Sequence, residues 1–158
     1  MKASSSQEIK IQLQHSTKDE LIKLCLRLAR FKKENKELLD YLLFQSHDLD
    51  GYIALVKSGI DEGFTQVNTS SVFLAKKTIR KILRNAKKYI RYTGSEVAEA
   101  EILIHYLVLF KQMKLPWQKT KVLNNIYEAQ MKKIEGAVAA MHEDLQFEYK
   151  RKVAELRE

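Results

Sequence analysis

Apolar residues recur every three or four positions along most of the chain, a spacing that places them on one face of an α-helix. One short stretch, Ile9 to Leu13, also alternates between apolar and polar residues as a strand would, but no second strand is indicated to pair with it. A single Pro and five Gly leave few turn markers, and a sheet protein of this length needs many. The pattern predicts an all-α fold of about seven helices, arranged as antiparallel pairs in a compact bundle or a short α-solenoid.

Capping residues indicate where several of these helices begin. Capping boxes at Ser5 and Thr17 open the first two helices. A turn near residues 33–35 is expected to separate the second helix from the third, and a single bent helix is the alternative. Asp48 or Asp50 can then cap the fourth, Gly94 suits a left-handed C-terminal cap of the fifth, and Ser95 can cap the sixth. The second helix is expected to bury one apolar face, made of Leu21, Leu24, Cys25, Leu28 and Phe31.

The apolar spacing continues from Trp117 through Gly136 without a change of phase, which predicts one long C-terminal helix to about residue 155. Such a helix would be roughly 60 Å long, more than a compact bundle of this size covers. Residues 146–158 would then overhang or fray. We expect the overhanging face to be available to a protein partner or to a second copy in a homodimer. Its residues are Val138, Met141, Leu145 and Tyr149.

Positive charge is concentrated in one predicted helix, residues 70–92. The chain has 28 Lys and Arg against 20 Asp and Glu, a net charge of +8. Between Lys76 and Arg91 lie eight cations and no carboxylate, so this helix alone matches the net charge of the whole chain. At 100° per residue the eight fall within about 140° of the helix surface, opposite an apolar face. We call them the basic face: Lys76, Lys77, Arg80, Lys81, Arg84, Lys87, Lys88 and Arg91.

An unbroken row of cations is typical of a surface that binds a polyanion. It can bind nucleic acid phosphates with little sequence preference, or an acidic protein. Carboxylates elsewhere in the chain could also pair with it, although solvated faces generally mix both signs. An anionic membrane surface is a further alternative, but the apolar face of this helix is needed for the core. We expect an interaction or scaffolding protein whose binding face is the basic face, with nucleic-acid binding as the alternative.

Motifs for catalysis or cofactor binding are missing from the sequence. There is no GxxxxGK[ST], GxGxxG, GxSxG or HExxH, and one cysteine excludes a Cys/His zinc cluster. Glu101 and His105, one helical turn apart, would be half a metal site, but a histidine in an apolar run is more often hydrogen-bonded in the interior. His142, Glu143 and Asp144 are expected on a solvated or ion-paired face. We therefore expect no enzyme, no cofactor and no bound metal.

The chain carries no sequence signal for export or membrane insertion. Its N-terminus has no apolar signal region, and the longest uncharged apolar run, Ile102 to Phe110, has nine residues, too few to span a bilayer. The lone Cys25, expected as a small core residue, cannot form an internal disulfide and favours a reducing compartment. These features predict a cytoplasmic protein with residues 1–158 in a single domain.

Overall fold

A computed structural model describes residues 2–158, and within these residues it has eight α-helices and no strand. The prediction of an all-α fold is confirmed. The chain forms two compact units, residues 1–44 and 45–158; the assignment of the whole chain to a single domain stays a prediction. The helices are α1 (Ser6–Gln14), α2 (Lys18–Phe31), α3 (Lys33–Asp40), α4 (Leu49–Thr65), α5 (Val72–Thr93), α6 (Glu96–Gln112), α7 (Lys121–Ala140) and α8 (Glu143–Arg157). A π-helical turn, Tyr41–Gln45, follows α3, and a 3-10 turn, Trp117–Lys119, precedes α7.

Both predicted capping boxes are present in the first unit. The Ser5 N–H donates to the Glu8 carboxylate at 2.7 Å, and the Glu8 N–H donates to Ser5 Oγ at 3.3 Å. Thr17 and Glu20 make the same reciprocal pair at 2.8 and 3.3 Å. These bonds satisfy N–H groups that have no partner in the first turn of a helix. Residues 9–13 are accordingly helical, and the alternative of a strand is wrong.

The turn between α2 and α3 is a single extended residue, Lys32, with φ −143° and ψ 146°. It lies one residue before the predicted turn. The side-chain amide of Asn35 donates to the carbonyl of Leu28 at 2.8 Å. This bond satisfies one of the carbonyls that the last turn of α2 leaves without an intrahelical partner.

The predicted burial of the apolar face of α2 is wrong. Leu24, Leu28 and Phe31 are 43%, 62% and 78% exposed, and Cys25 is exposed as well. The helix that α2 packs against in its own unit, α3, has only eight residues and cannot cover a 14-residue helix. Within residues 2–44 the side chain of Tyr41 alone is buried.

Helix α6 is the centre of the second unit and contacts α4, α5, α7 and α8. Its sequence is apolar on all sides, as expected for a helix surrounded by others. Five large side chains of this helix have no exposed surface. They are Ile102, Leu103, Tyr106, Leu107 and Phe110.

The helices around α6 begin and end largely as the capping residues predict. Asp48 caps α4 by accepting a hydrogen bond from the Gly51 N–H at 2.9 Å. Gly94, at the end of α5, has the left-handed conformation with φ 59°, which favours glycine. Ser95 then caps α6 by accepting from the Ala98 N–H at 3.2 Å. Gly63 allows α4 and α5 to approach closely, because a Cβ there would lie 2.8 Å from Ile82 Cγ1.

The predicted single C-terminal helix is wrong, because the chain turns sharply between α7 and α8. Met141 and His142 have extended backbone, with ψ 161° and 143°. His142 Nδ1 accepts a hydrogen bond from the Asp144 N–H at 3.3 Å and caps α8. The side-chain amide of Gln146 donates to the Met141 carbonyl at 2.9 Å. These polar bonds satisfy backbone groups on both sides of the break, which a hydrophobic pattern does not report.

The last turns of α8 are packed and hydrogen-bonded, so the expected overhang of residues 146–158 is also wrong. Leu156 is buried, and its carbonyl accepts from Lys111 Nζ at 3.0 Å and from the Tyr127 hydroxyl at 2.6 Å. Helix α8 folds back on α6 and α7. None of the helices within residues 2–158 combines the length and apolar character needed to cross a bilayer.

Candidate anion-binding face and cleft

Helix α5 is divided lengthwise into a buried apolar side and the basic face. The apolar side packs against α4 and α6, and its buried residues are Ala75, Ile79, Ile82, Leu83, Ala86 and Ile90. Packing on that side turns the cations away from the core. Lys77, Arg80, Lys81, Arg84 and Arg91 are exposed, and the other three cations are partly buried.

Most cations of the basic face form no direct ion pair within the part of the chain that the structure describes. Among residues 2–158, no carboxylate lies within 4.0 Å of seven of its eight cations, all except Lys88. Ion pairs of the second unit are found, for example, around Glu101 and between Glu135 and Arg157. Carboxylates elsewhere in the chain therefore do not neutralise these seven cations by direct pairing, the alternative that the sequence left open.

Two aromatic side chains accompany the lysines of the basic face. Lys76 Nζ lies 5.4 Å from the centre of the Phe73 ring, and Lys88 Nζ lies 4.7 Å from the centre of the Tyr89 ring. Phe73 is 71% exposed at the N-terminal end of α5. Neither ring is among the site residues predicted from the sequence, although Phe73 and Tyr89 belong to the same helix as the cations.

A cleft opens along one edge of the basic face, between α5 and its neighbours α6 and α7. Its volume is about 480 Å³, and α5 lines one side with Arg80, Arg84, Lys87 and Arg91. Glu99 of α6 and Lys133 of α7 line the other side, and the apolar residues Leu83 and Ile90 also line the cleft. We call these eight residues the cationic cleft.

The cationic cleft holds like charges close together with little compensation. Five of its residues are cationic and one is a carboxylate. Burial lowers the pKa of Lys87, the proximity of Lys133 lowers it further, and Glu99 opposes the decrease. Such an arrangement costs free energy in the absence of a ligand, and an anion in the cleft would offset that cost.

Sequence reasoning found the four α5 residues of the cleft and missed Glu99 and Lys133. Helix periodicity shows which residues share a face of one helix, but not which other helices border that face. Lys133 is one of two consecutive lysines on α7, an ordinary surface pattern, and no sequence signal distinguishes it from Lys132.

The predicted partner-binding face of the C-terminal region lies mostly in the interior. Val138, Met141 and Tyr149 are 3%, 7% and 6% exposed, whereas Leu145 is 40% exposed. The break at Met141 lets α8 pack on α7, so three of the four side chains are covered within the protomer. Leu145 alone of this set remains available to a partner.

The other polar residues considered as candidate sites lie apart from the cleft. Glu101 is ion-paired with Lys57 and Lys152, and His105 Nε2 lies 2.6 Å from Asp61 Oδ1. His142 caps α8 on the surface. Within residues 2–158 no three His, Cys, Asp or Glu side chains are grouped so that they could hold a metal ion.

The sequence matches no known protein family, no curated protein and no solved structure. A function therefore has to be inferred from the chemistry of the chain's own surfaces. The basic face has eight cations and no carboxylate between Lys76 and Arg91, and the cationic cleft has five cations and one carboxylate.

Proposed function

We propose that this is a non-enzymatic binding protein that uses the basic face of α5 to bind the phosphate backbone of nucleic acids. The observation that carries the proposal is that, within residues 2–158, seven cations along one side of one helix have no carboxylate within 4.0 Å. From Lys76 to Arg91 the helix axis extends about 23 Å, long enough to reach several phosphates. Arg80, Arg84 and Arg91 can each donate two hydrogen bonds to one phosphate.

The composition of the face favours contacts with phosphates over contacts with bases. Five of its eight cations are lysines, which act as point charges and carry little sequence information. The exposed ring of Phe73 adds a surface on which an unpaired base can stack. We therefore expect weak sequence preference, with both duplexes and single strands as ligands.

The proposal is tested by fluorescence anisotropy with labelled duplex DNA and single-stranded RNA across a salt series. The variant replaces Lys76, Lys77 and Lys81 with Gln, three cations that lie outside the cationic cleft. For the duplex we expect the slope of log K against log salt to become shallower by about 2 to 3, because each lost phosphate contact contributes about 0.9.

The matched control replaces Lys114, Lys119 and Lys121 with Gln, an equal change of net charge at exposed lysines that do not belong to α5. We expect this control to retain nearly the wild-type slope. Failure of the folded wild type to bind either nucleic acid at low salt would refute the proposal. Equal losses in the two triple variants would also count against it, because only net charge would then matter.

A second candidate function is protein interaction or scaffolding through residues 2–44, by self-association. The exposed apolar side chains of α2 support it, above all Leu28 and Phe31, because contiguous apolar surface of this kind marks interaction sites.

In sedimentation velocity we expect a dimer that becomes monomeric when Leu28 and Phe31 are changed to Ser. Phe147, which is 81% exposed on α8, provides the matched control as Phe147→Ser. A wild type that stays monomeric at every concentration would exclude self-association.

Two further expectations accompany these proposals. The lack of catalytic motifs in the sequence favours a protein without enzymatic activity, and its lone cysteine favours a reducing, cytoplasmic location. Both stay predictions.

A further inference from the structure

The cationic cleft differs from the rest of the basic face because it is concave and three helices contribute to it. Lys76, Lys77 and Lys81 do not line the cleft, whereas the four cleft cations of α5 line it together with Lys133 and Glu99. A long polyanion needs only a row of charges on one surface. Cations that converge from two helices surround a compact ligand instead.

We propose that the cationic cleft binds a small diphosphate or triphosphate whose organic part carries a free hydroxyl group, as a nucleotide does. The volume of about 480 Å³ suits such a ligand, because sites for small molecules commonly measure about 300 to 1,000 Å³. Five cations facing one carboxylate match the several negative charges of a phosphate chain.

The cations of the cleft are available to a ligand. Among residues 2–158, no carboxylate lies within 4.0 Å of Arg80, Arg84, Lys87, Arg91 or Lys133, so binding breaks no internal ion pair. The three guanidinium groups suit bidentate contacts with phosphate oxygens, and the two ammonium groups act as point charges. Burial and Lys133 lower the pKa of Lys87 against the opposing effect of Glu99, so a bound anion would stabilise the charged form of this lysine.

Glu99 gives the site its preference for a ligand with a hydroxyl group. A carboxylate beside a bare phosphate chain is repulsive, but it accepts a hydrogen bond from a sugar hydroxyl. Leu83 and Ile90 supply apolar surface against which the organic part can pack. The cleft therefore combines cations that can bind a phosphate chain with a carboxylate, Glu99, that can accept a hydrogen bond from a hydroxyl group of the organic part.

The test is calorimetric titration with two probes, adenosine diphosphate and inorganic triphosphate, at low salt and without divalent cations. Lys133→Gln is expected to weaken both probes about tenfold, the effect of losing one charged hydrogen bond. Lys132→Gln, at the exposed neighbour outside the cleft, is the matched control and is expected to leave both affinities unchanged. Circular dichroism confirms that each variant is folded.

Glu99→Gln separates the two parts of the proposal. The variant is expected to bind inorganic triphosphate about threefold more tightly, because a repulsive charge is removed. It is expected to bind adenosine diphosphate less tightly, because the best acceptor for the hydroxyl group is lost. Tighter binding of both probes would overturn the role of Glu99. No binding of either probe by the folded wild type, or equal effects of the Lys132 and Lys133 variants, would overturn the site.

The outcome is independent of nucleic-acid binding. The triple variant at Lys76, Lys77 and Lys81 leaves every residue of the cleft in place, and we expect it to bind adenosine diphosphate as the wild type does. A wild type that binds adenosine diphosphate but neither nucleic acid would refute only the proposed function. A wild type that binds nucleic acid but neither adenosine diphosphate nor inorganic triphosphate would refute only the cleft.

Discussion

Glu101 shows how one charged side chain connects three helices of the second unit. Its carboxylate, on α6, accepts hydrogen bonds from Lys57 on α4 and from Lys152 on α8, the latter at 2.8 Å. Burial alone would raise its pKa, but the hydrogen bonds from Lys152 and Lys57, with a further one from Tyr149, outweigh burial and lower the pKa to about 2. Burial and the hydrogen bond to Glu101 together raise the pKa of Tyr149 to about 12.

The lowered pKa of Glu101 predicts a loss of stability in acid. A carboxylate with a lower pKa in the folded than in the unfolded state stabilises the fold above the unfolded value, here 4.5, and this contribution is lost as the pH falls toward about 2. We expect Glu101 to contribute roughly 2 to 3 kcal/mol to the free energy of unfolding at neutral pH. Urea unfolding of the wild type and of Glu101→Gln between pH 7 and pH 2 measures this difference.

The two unfolding curves are expected to differ most at neutral pH and to converge in acid. Glu148→Gln is the control, because Glu148 pairs with the same Lys152 at 2.9 Å but is 56% exposed, and exposed pairs contribute little. We expect that variant to change the free energy of unfolding by less than about 0.5 kcal/mol. A constant difference between wild type and Glu101→Gln across the whole pH range would contradict the assignment.

At the scale of the elements, glycine has opposite effects at a helix end and inside a helix. Gly94→Ala is expected to destabilise the protein by roughly 1 kcal/mol, because a Cβ is strained at φ 59°. Gly136→Ala, within α7 where a Cβ meets no atom within 4 Å, is expected to stabilise it by about 0.5 to 1 kcal/mol. Thermal unfolding of the two variants checks both signs, and a shift of the melting temperature in the same direction for both would contradict this account.

The sequence predicts elements well where local chemistry sets them. Ser5, Thr17, Ser95 and Gly94 mark helix ends because each makes or allows bonds within a few residues of itself. The break at Met141 was not predicted, because the apolar spacing that was used to predict the helix does not change there. The apolar spacing stays in phase across the break, and the bond from Gln146 that stabilises it spans five residues.

The residues of the candidate site also differ in whether local sequence or helix packing brings them together. The eight cations of the basic face belong to one helix, so periodicity alone places them together. Glu99 and Lys133 reach the cleft only through the packing of α6 and α7, which one sequence does not specify. The exposure of Leu28 and Phe31 was missed because amphipathic spacing predicts a face that can be buried, not whether a neighbour covers it.

At the scale of the whole molecule, the two units have different kinds of surface and interior. Residues 45–158 contain nearly all of the buried apolar side chains together with the basic face and the cationic cleft. Residues 2–44 contain helices α1 and α2, which begin at capping boxes but whose apolar side chains are largely exposed. A unit with its own core is expected to fold alone, and one without a core is not.

We therefore predict that a fragment of residues 45–158 folds cooperatively and retains the binding properties of the full chain. Urea unfolding of the fragment is expected to show a single transition. The slope of log K against log salt for duplex DNA is expected to be the same for the fragment as for the full chain, because no cation of the basic face is removed. A fragment of residues 1–44 is expected to be largely unfolded as a monomer, because isolated helices of up to 14 residues are marginal in water. Loss of binding by a folded 45–158 fragment would show that cations of the first unit contribute to the interface, and would confine the basic face of α5 to part of the nucleic-acid site.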